Sequence, residues 1–258
     1  MTWPRMVWIG GAPGAGKSTI ARRLARELDL PLHPVDLWTY DHVGRMPPLR
    51  PLAEDLAEGP EFAAEAFVRI GRTRLDLVVE DVRARGLGEV PALVEGPQLY
   101  PSMVADGVVA AVWLLPDPEQ TRRAREARLE GIDDPAGRAR LEGLMARDAV
   151  LAARVRQEAA QYGRTLIEVS AEPDWEAITA AVATALGPQP SLAAGVELSR
   201  QRRIENLAAC RQIRLWLADI GVREQRPFPF ACECGTTGCA LSCDLTPDQY
   251  DVRGADAH

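Results

Sequence analysis

Short apolar runs alternate along this chain with longer stretches in which apolar residues recur every three or four positions. Arg5 to Gly10 (RMVWIG) has the pattern of a buried strand, and Ser18 to Leu28 that of a helix with Ile20, Leu24 and Leu28 on one face. A second strand is predicted over Leu32 to Val35, ending at Asp36. Thr39 to Pro60 is rich in proline and glycine and reads as a loop region. Glu61 to Arg85 then places Phe62, Phe67, Ile70, Leu77 and Val82 at roughly helical spacing. Ala92 to Val94 and Val108 to Leu115 are continuous apolar strands, as in a sheet buried on both faces. Glu119 to Gln161 is arginine-rich and helical, with a break around Gly131 to Gly137. Thr165 to Val169 gives a fifth strand and Trp175 to Leu186 a closing helix. Strands alternating with helices predict right-handed crossovers and a parallel sheet covered on both sides. After a linker-like stretch (Gly187 to Gly195), Ile204, Leu207, Cys210, Ile213, Leu217 and Ile220 form a helical stripe. A cysteine cluster follows.

Composition narrows the class. With 258 residues, 47% apolar and 26% charged, the chain can bury a substantial core, which excludes disorder throughout. A net charge of −7 argues against a protein that lives on nucleic acid or anionic lipid. Val108 to Leu115, the longest apolar run, is far shorter than the ~20 residues of a spanning helix. The first residues show no signal-type apolar core before Gly10 and Gly11. The expectation is a soluble, cytoplasmic protein without membrane or nucleic-acid partners. Of 30 basic residues, Lys17 alone is lysine. The position that kept it invites a chemical reason.

Gly11-Ala12-Pro13-Gly14-Ala15-Gly16-Lys17-Ser18 fits G-x-x-x-x-G-K-[ST], followed by Thr19, between a predicted strand and a predicted helix. The glycines let successive N–H groups converge on one anion, and the helix N-terminus adds partial positive charge. Lys17 would reach the β- and γ-phosphates of a nucleotide, and the Ser18 hydroxyl would ligate Mg²⁺. A compact ammonium on a flexible stem suits that position better than a planar guanidinium.

Gly11 to Lys17 (GAPGAGK) resembles the phosphate loop of adenylate kinase and related small P-loop kinases. The resemblance follows element order over roughly Arg5 to Leu186 and is one of motifs. It implies an α/β fold with a doubly wound, five-stranded parallel sheet, ATP with Mg²⁺, and an arginine-bearing lid that closes over the phosphates. Glu95-Gly96-Pro97 falls where nucleotide kinases carry an acidic residue and glycine, so Glu95 is a Mg²⁺ candidate. The arginine that grips the acceptor's phosphate in those kinases is missing; Gln98 and Leu99 follow instead. Asp36 stands at the tip of the second strand, where kinases of hydroxyl acceptors (nucleoside, shikimate and antibiotic kinases) commonly carry an aspartate. There it would orient the acceptor and take its proton; its bland alternative is a helix N-cap. Arg50, Arg69 and Arg72 keep a nucleotide acceptor open.

The lid region carries Arg122, Arg123, Arg125, Arg128, Arg138 and Arg140, interleaved with Glu119, Glu126, Glu130, Asp133 and Asp134. Most of these arginines are expected to be solvated helix pairs. Arg122 and Arg125, nearest the fourth strand, are the catalytic candidates, with Arg138 behind them. Trp38, Tyr40 and Tyr100 are candidates for stacking on an acceptor, or simple packing.

Cys232, Cys234, Cys239 and Cys243 put four thiols in a short segment with Gly235 and Gly238 at turns. They predict a structural Zn²⁺ site. The rivals are an iron–sulfur cluster of the CDGSH type, which Cys232-x-Cys234 and Cys243-Asp244 resemble although Leu245 and Pro247 depart from it, and free or redox thiols. Cys210 lies on the apolar stripe and reads as core. The arginines of this segment are offset by Glu197, Glu205, Asp219, Asp244, Asp248 and Asp251, so a docking or dimerising module is expected, making a homodimer or a protein contact through it.

The expected whole is a P-loop kinase domain over residues 1–188 and a helix with a four-cysteine metal-binding module over 196–258. The first domain would move the γ-phosphoryl group of Mg·ATP to a small-molecule hydroxyl, with Asp36 as base. Two alternatives stay open: a nucleoside monophosphate kinase of the same fold, and an ATP-gated regulatory protein acting through its metal-binding tail.

Overall fold

The computed structural model describes residues 2–129, 134–222 and 226–258. A central strand, β1 (Met6–Gly11), is followed by α1 (Lys17–Glu27), β2 (Leu32–Pro34) and a short 3₁₀ turn, Val35–Trp38. Then come α2 (Thr39–Gly44), α3 (Leu52–Ala57), α4 (Pro60–Ala84), β3 (Ala92–Glu95) and β4 (Val108–Pro116). The first half closes with α5 (Pro118–Glu126), α6 (Pro135–Gln161), β5 (Leu166–Val169) and α7 (Trp175–Leu186). The remainder comprises α8 (Val196–Asp219), β6 (Phe228–Ala231), β7 (Ser242–Leu245) and α9 (Pro247–Arg253).

The five strands β1 to β5 pair in the order β2-β3-β1-β4-β5, every pair parallel. This is the doubly wound α/β fold that the strand–helix alternation predicts. Alternate side chains of β1 enter opposite layers, as the two-residue period of a strand requires. Met6 and Trp8 join Val94, Trp113 and residues of α4 and α6, while Val7 and Ile9 join Leu93, Leu114 and residues of α1 and α7. All six residues of β1 are buried, so the strand has no solvated face to spend on polar residues.

Two expectations change. Thr39 to Pro60 is not one loop: α2 and α3 lie inside it. Two of its prolines stand at helix starts, Pro51 as the N-cap of α3 and Pro60 in the first turn of α4, while Pro47 and Pro48 lie in the irregular stretch between α2 and α3. The expected break at Gly131 to Gly137 lies partly outside the described residues, as do Glu130 and Asp133. On α8 the apolar stripe is only partly buried. Cys210 and Leu217 are buried and Leu207 and Ile220 exposed, while Gln201, Arg202, Glu205 and Asn206 are buried beside the stripe. Arg202, Glu205 and Asn206 are tolerated there because each has partners. Arg26 of α1 donates to both Glu205 oxygens at 3.0 Å, Arg202 reaches Asp29 at 3.1 Å, and Asn206 exchanges two hydrogen bonds with Ala231. The β6–β7 hairpin, antiparallel and with its own small core around Phe230, Leu245 and Tyr250, had no clear signal in the sequence. No helix among the described residues is long and apolar enough to cross a membrane.

The Arg26–Glu205 pair makes the packing of α8 testable. Its side chains are only 10% and 7% exposed. Arg26→Ala leaves a buried carboxylate alone and is expected to lower unfolding free energy by about 3–5 kcal/mol. The double change Arg26→Met with Glu205→Leu recovers most of that loss. Urea unfolding of the three chains measures both.

Candidate active site

The chain leaves β1 through a backbone that only glycine accommodates. Gly11 has φ +124°, and a Cβ there would stand 2.1 Å from the Leu114 carbonyl oxygen of β4. Gly16, at φ +75°, caps α1 with its Cα face against the Trp175 ring, 2.3 Å from where a Cβ would be. Between them the loop wraps so that Lys17 folds back and its ammonium donates to the Ala12 carbonyl at 2.8 Å.

This loop forms one wall of a cleft of about 500 Å³ at the C-terminal edge of the sheet. Asp36 and Thr39 come from the turn after β2, Glu95, Pro97 and Gln98 from the end of β3, and Arg125, Arg128, Arg140 and Arg147 from α5, its C-terminal extension and α6. Ligands of open α/β sheets bind at this edge, because the loops that follow parallel strands all emerge there. The structure thus brings together Gly14, Gly16, Lys17, Ser18, Asp36, Glu95 and Arg125 of the sequence candidates.

Buried arginines of α4 hold the arm that carries Asp36. Arg74 donates to the Val35 carbonyl at 2.6 Å and to Thr39 Oγ1 at 3.2 Å, and Arg85 donates to the Leu32 carbonyl at 2.9 Å. Asp36 itself is exposed to the cleft and accepts from Gln98 Nε2 at 3.4 Å. Gln98, a departure from the nucleotide-kinase pattern, therefore contacts the candidate base directly.

Glu95 is 1% exposed, and burial together with the nearby Asp36 charge pushes its carboxyl up to about 7, against the pull of Lys17 and a hydrogen bond from the Ser18 hydroxyl. Burial pulls the Lys17 ammonium down to about 8, with Glu95 and Asp36 opposing and Arg128 and Arg125 assisting. Glu95 Oε2 and Gln98 Oε1 are buried with no hydrogen-bond partner among the described residues. An unpartnered carboxylate oxygen beside a serine hydroxyl is a donor set that suits a hard divalent cation.

The arginines separate into two groups. Arg122 pairs with Glu142 at 3.1 Å on the exposed side of α5 and does not line the cleft; Arg138 does not line it either. Arg125 does, its Nε held by Asp148 at 2.7 Å, with Arg147 on the other Asp148 oxygen at 2.8 Å and over the Phe67 ring at 5.1 Å. Arg128 and Arg140 line the cleft with no ion-pair partner among the described residues. Helical spacing alone did not distinguish them, because the pairing acids come from a different helix. Arg50 is engaged by Glu54 and Glu58, and neither it nor Arg69 nor Arg72 lines the cleft.

The aromatic candidates are packing residues. Trp38 stacks between His33 and His42, Tyr40 donates to Asp219 of α8 at 3.0 Å, and Tyr100 is buried in the core. Beside the loop, a shallow groove of about 610 Å³ runs between α5 and the β5–α7 connection, lined by Gln120, Arg123, Ala124, Pro173 and Trp175. Gln120 donates to the Gly14 carbonyl at 3.2 Å, joining this groove to the phosphate loop.

In the tail, Cys232, Cys234 and Cys239 converge, and their fourth neighbour is His258, which the sequence reading passed over. Cys243 is outside that group. On β7 it alternates inward with Leu245 and packs in the small hydrophobic core, because a strand points every second side chain to the same face. A second histidine cluster, His33, His42 and Asp81, faces the guanidinium groups of Arg85 and Arg74 at 3.2 and 3.3 Å, which disfavours a cation there.

No protein-family model matches the chain. A shikimate kinase of Rhodococcus jostii (strain RHA1) is 38% identical over an aligned stretch of 78 residues, covering 26% of this chain and 46% of that protein. The chain thus matches less than half the length of that relative. A solved sugar kinase of Janibacter sp. HTCC2649 is similar at TM-score 0.41 and 18% identity, over 72% of this chain and 96% of that one. A solved shikimate kinase of Bacteroides thetaiotaomicron is similar at TM-score 0.36 and 17% identity, over 69% and 96%.

The position of Glu95 predicts a pH signature in the ligand-free protein. Its folded pKa is above the ordinary 4.5, so the stability this group contributes is present below that value and is lost as pH rises through 7. Glu95→Gln removes the loss. The stability gap between variant and wild type is expected to open from pH 5 upward and level off above pH 8, at about 3 kcal/mol. Urea unfolding at several pH values reads it; a gap independent of pH would mean that Glu95 is solvated.

Proposed function

We propose that this chain is an ATP-dependent phosphotransferase that moves the γ-phosphoryl group to a hydroxyl of a small anionic acceptor. The observation that carries this reading is the shared cleft: Asp36 opens into the same space as Lys17 and the glycine loop, and cationic groups surround both. The shikimate kinase stretch supports a kinase with a small-molecule acceptor.

In this reading the loop N–H groups and Lys17 bind the β- and γ-phosphates, and the groove beside Trp175 takes the nucleoside. Ser18 and Glu95 would hold Mg²⁺, and their donor chemistry fits it. When bound, the ion supplies charge neutralisation to the phosphates. Asp36 accepts the hydroxyl proton as the acceptor oxygen bonds to the γ-phosphorus. The bond from that phosphorus to the bridging oxygen breaks, and ADP leaves with the electron pair. Gln98 orients Asp36, and the buried Arg74 and Arg85 keep its arm in place. Arg125, already fixed by Asp148, faces the charge that develops on the transferred group. Arg128 and Arg140, lacking acidic partners among the described residues, suit a carboxylate or phosphate on the acceptor. Phe67, Leu52 and Leu144 give the acceptor an apolar wall.

ADP release from Mg·ATP, measured against hydroxy acids, nucleosides, nucleotides, sugars and aminoglycosides, tests the reading. An anionic hydroxyl compound is expected to raise turnover. Asp36→Asn loses that gain by about 10²–10⁴-fold while ATP binding is retained. Arg140→Ala raises KM for the acceptor by about tenfold or more. Stimulation by nucleoside monophosphates alone would make the chain a nucleotide kinase, and slow hydrolysis indifferent to every acceptor would make it a nucleotide-gated regulator.

A further inference from the structure

We propose that Cys232, Cys234, Cys239 and His258 form a tetrahedral zinc site, with Cys243 outside the ligand set. The site is distinct from the phosphoryl-transfer reading, since none of these residues lines the cleft. Its four donor atoms lie within 4.8 Å of one another. Cys239 Sγ and His258 Nε2 are 3.6 Å apart. A tetrahedral zinc with bonds of about 2.3 Å to sulfur and about 2.0 Å to nitrogen would hold such a pair about 3.5 Å apart.

The backbone assembles this donor set for reasons that do not involve a metal. Cys232 follows β6 directly, and its N–H donates to the Leu241 carbonyl across the hairpin at 3.0 Å. The Cys239 N–H closes a turn on the Thr236 carbonyl, which turns the second and third thiols toward each other. Helix α9 begins in a Thr246–Gln249 capping box and stops at Gly254, where φ is +64°. The chain then reverses. The Glu233 N–H donates to the Ala255 carbonyl at 2.7 Å, laying the last residues against the cysteine loop and delivering the imidazole of His258.

The surroundings are those of thiolates. The Thr236 N–H points at Cys234 Sγ at 3.4 Å, and the Ala257 N–H at Cys232 Sγ at 3.5 Å. Three thiolates and one imidazole around a divalent cation leave a net charge of −1. Arg202, 3% exposed and paired with Asp29, also stands with Nη1 4.0 Å from Cys234 Sγ. Hydrogen bonds and charges of this kind around the ligands tune and orient a metal site. An iron–sulfur site of the CDGSH type would need Cys243 and the position of Pro247. Cys243 packs against the small core, outside the group of donor atoms that lie within 4.8 Å of one another, and Pro247 begins α9.

The full chain, expressed with zinc in the medium and dialysed, is expected to retain about one zinc per chain by mass spectrometry of the metal. Cys234→Ser and His258→Ala lose most of it, and Cys243→Ser keeps it. X-ray absorption at the zinc edge of the wild-type chain reads the donor set without any variant. Three sulfurs at about 2.3 Å and one nitrogen at about 2.0 Å are expected. Four sulfurs, a Cys243→Ser chain emptied of zinc, bound iron with visible charge-transfer absorption, or a wild-type chain that holds no zinc would each overturn the proposal.

Discussion

Positive charge gathered at one edge of the sheet, with Lys17 and Arg147 buried and Arg128 and Arg140 exposed, is the constraint around which this molecule is arranged. The chain as a whole is acidic, at −7. Yet the cleft gathers Lys17, Arg125, Arg128, Arg140 and Arg147 against Asp36, Glu95 and the Asp148 that holds two of those arginines. Burying a cation is costly unless an anion meets it. Burial pulls the Lys17 ammonium down, and burial with the nearby Asp36 charge pushes the Glu95 carboxyl up, so each group is held toward its neutral form.

That arrangement would be of little use if the residues meeting the anion could move independently. The glycine loop is clamped by β4 on one side and Trp175 on the other. Across the cleft, the arm bearing Asp36 is tied to backbone carbonyls by Arg74 and Arg85. Among the described residues these two side chains make no ion pair. Burial lowers the Arg85 guanidinium to about 10, and the two supply directional hydrogen bonds to Leu32, Val35 and Thr39. Rigid placement of a base relative to a phosphoryl donor is worth several kcal/mol of barrier. An arm held by interior side chains contributes to such placement.

How much of this was legible follows from where the information sits. The five strands, the phosphate loop and the last helix, Trp175–Leu186, could be read locally, because continuous apolar runs and glycine spacing depend on the residue's own neighbours. Asp36 and Glu95 could be placed because both end predicted strands. The arginines could not be sorted, since Arg122 and Arg125 differ only in which acid of α6 faces them. Helix α8 was read in part for a related reason: Cys210 and Leu217 of its stripe are buried, but so are Arg202 and Glu205, whose partners Asp29 and Arg26 belong to a distant segment. Trp38 and Tyr40 were drawn toward the site by sequence proximity to Asp36, yet each points away, into a histidine pair and toward α8. Cys243 was grouped with the other thiols by spacing, which ignores the two-residue alternation that turns it inward.

The geometry of the tail also bears on whether it can switch the cleft. Both regions touch α1. Its N-terminus carries Lys17 and Ser18; its C-terminal turn carries Arg26, and Asp29 follows. Asp29 receives Arg202, two contacts from the Gly238 N–H, and through its carbonyl the Leu192 N–H. One route from the cysteine loop toward Lys17 therefore runs along α1; another runs through α8 to the arm after Asp36, where Tyr40 meets Gln212 and Asp219. Coupling of that kind needs an element with two arrangements that both sites bias. Helix α1 is pinned along its length by Ile20 and Leu24 in the core and by the bidentate Arg26–Glu205 pair at its end. Sliding or rotating it would break a buried ion pair and open the core at once. The tail thus holds the C-terminal end of α1, the helix that begins at Lys17 and Ser18, in one position.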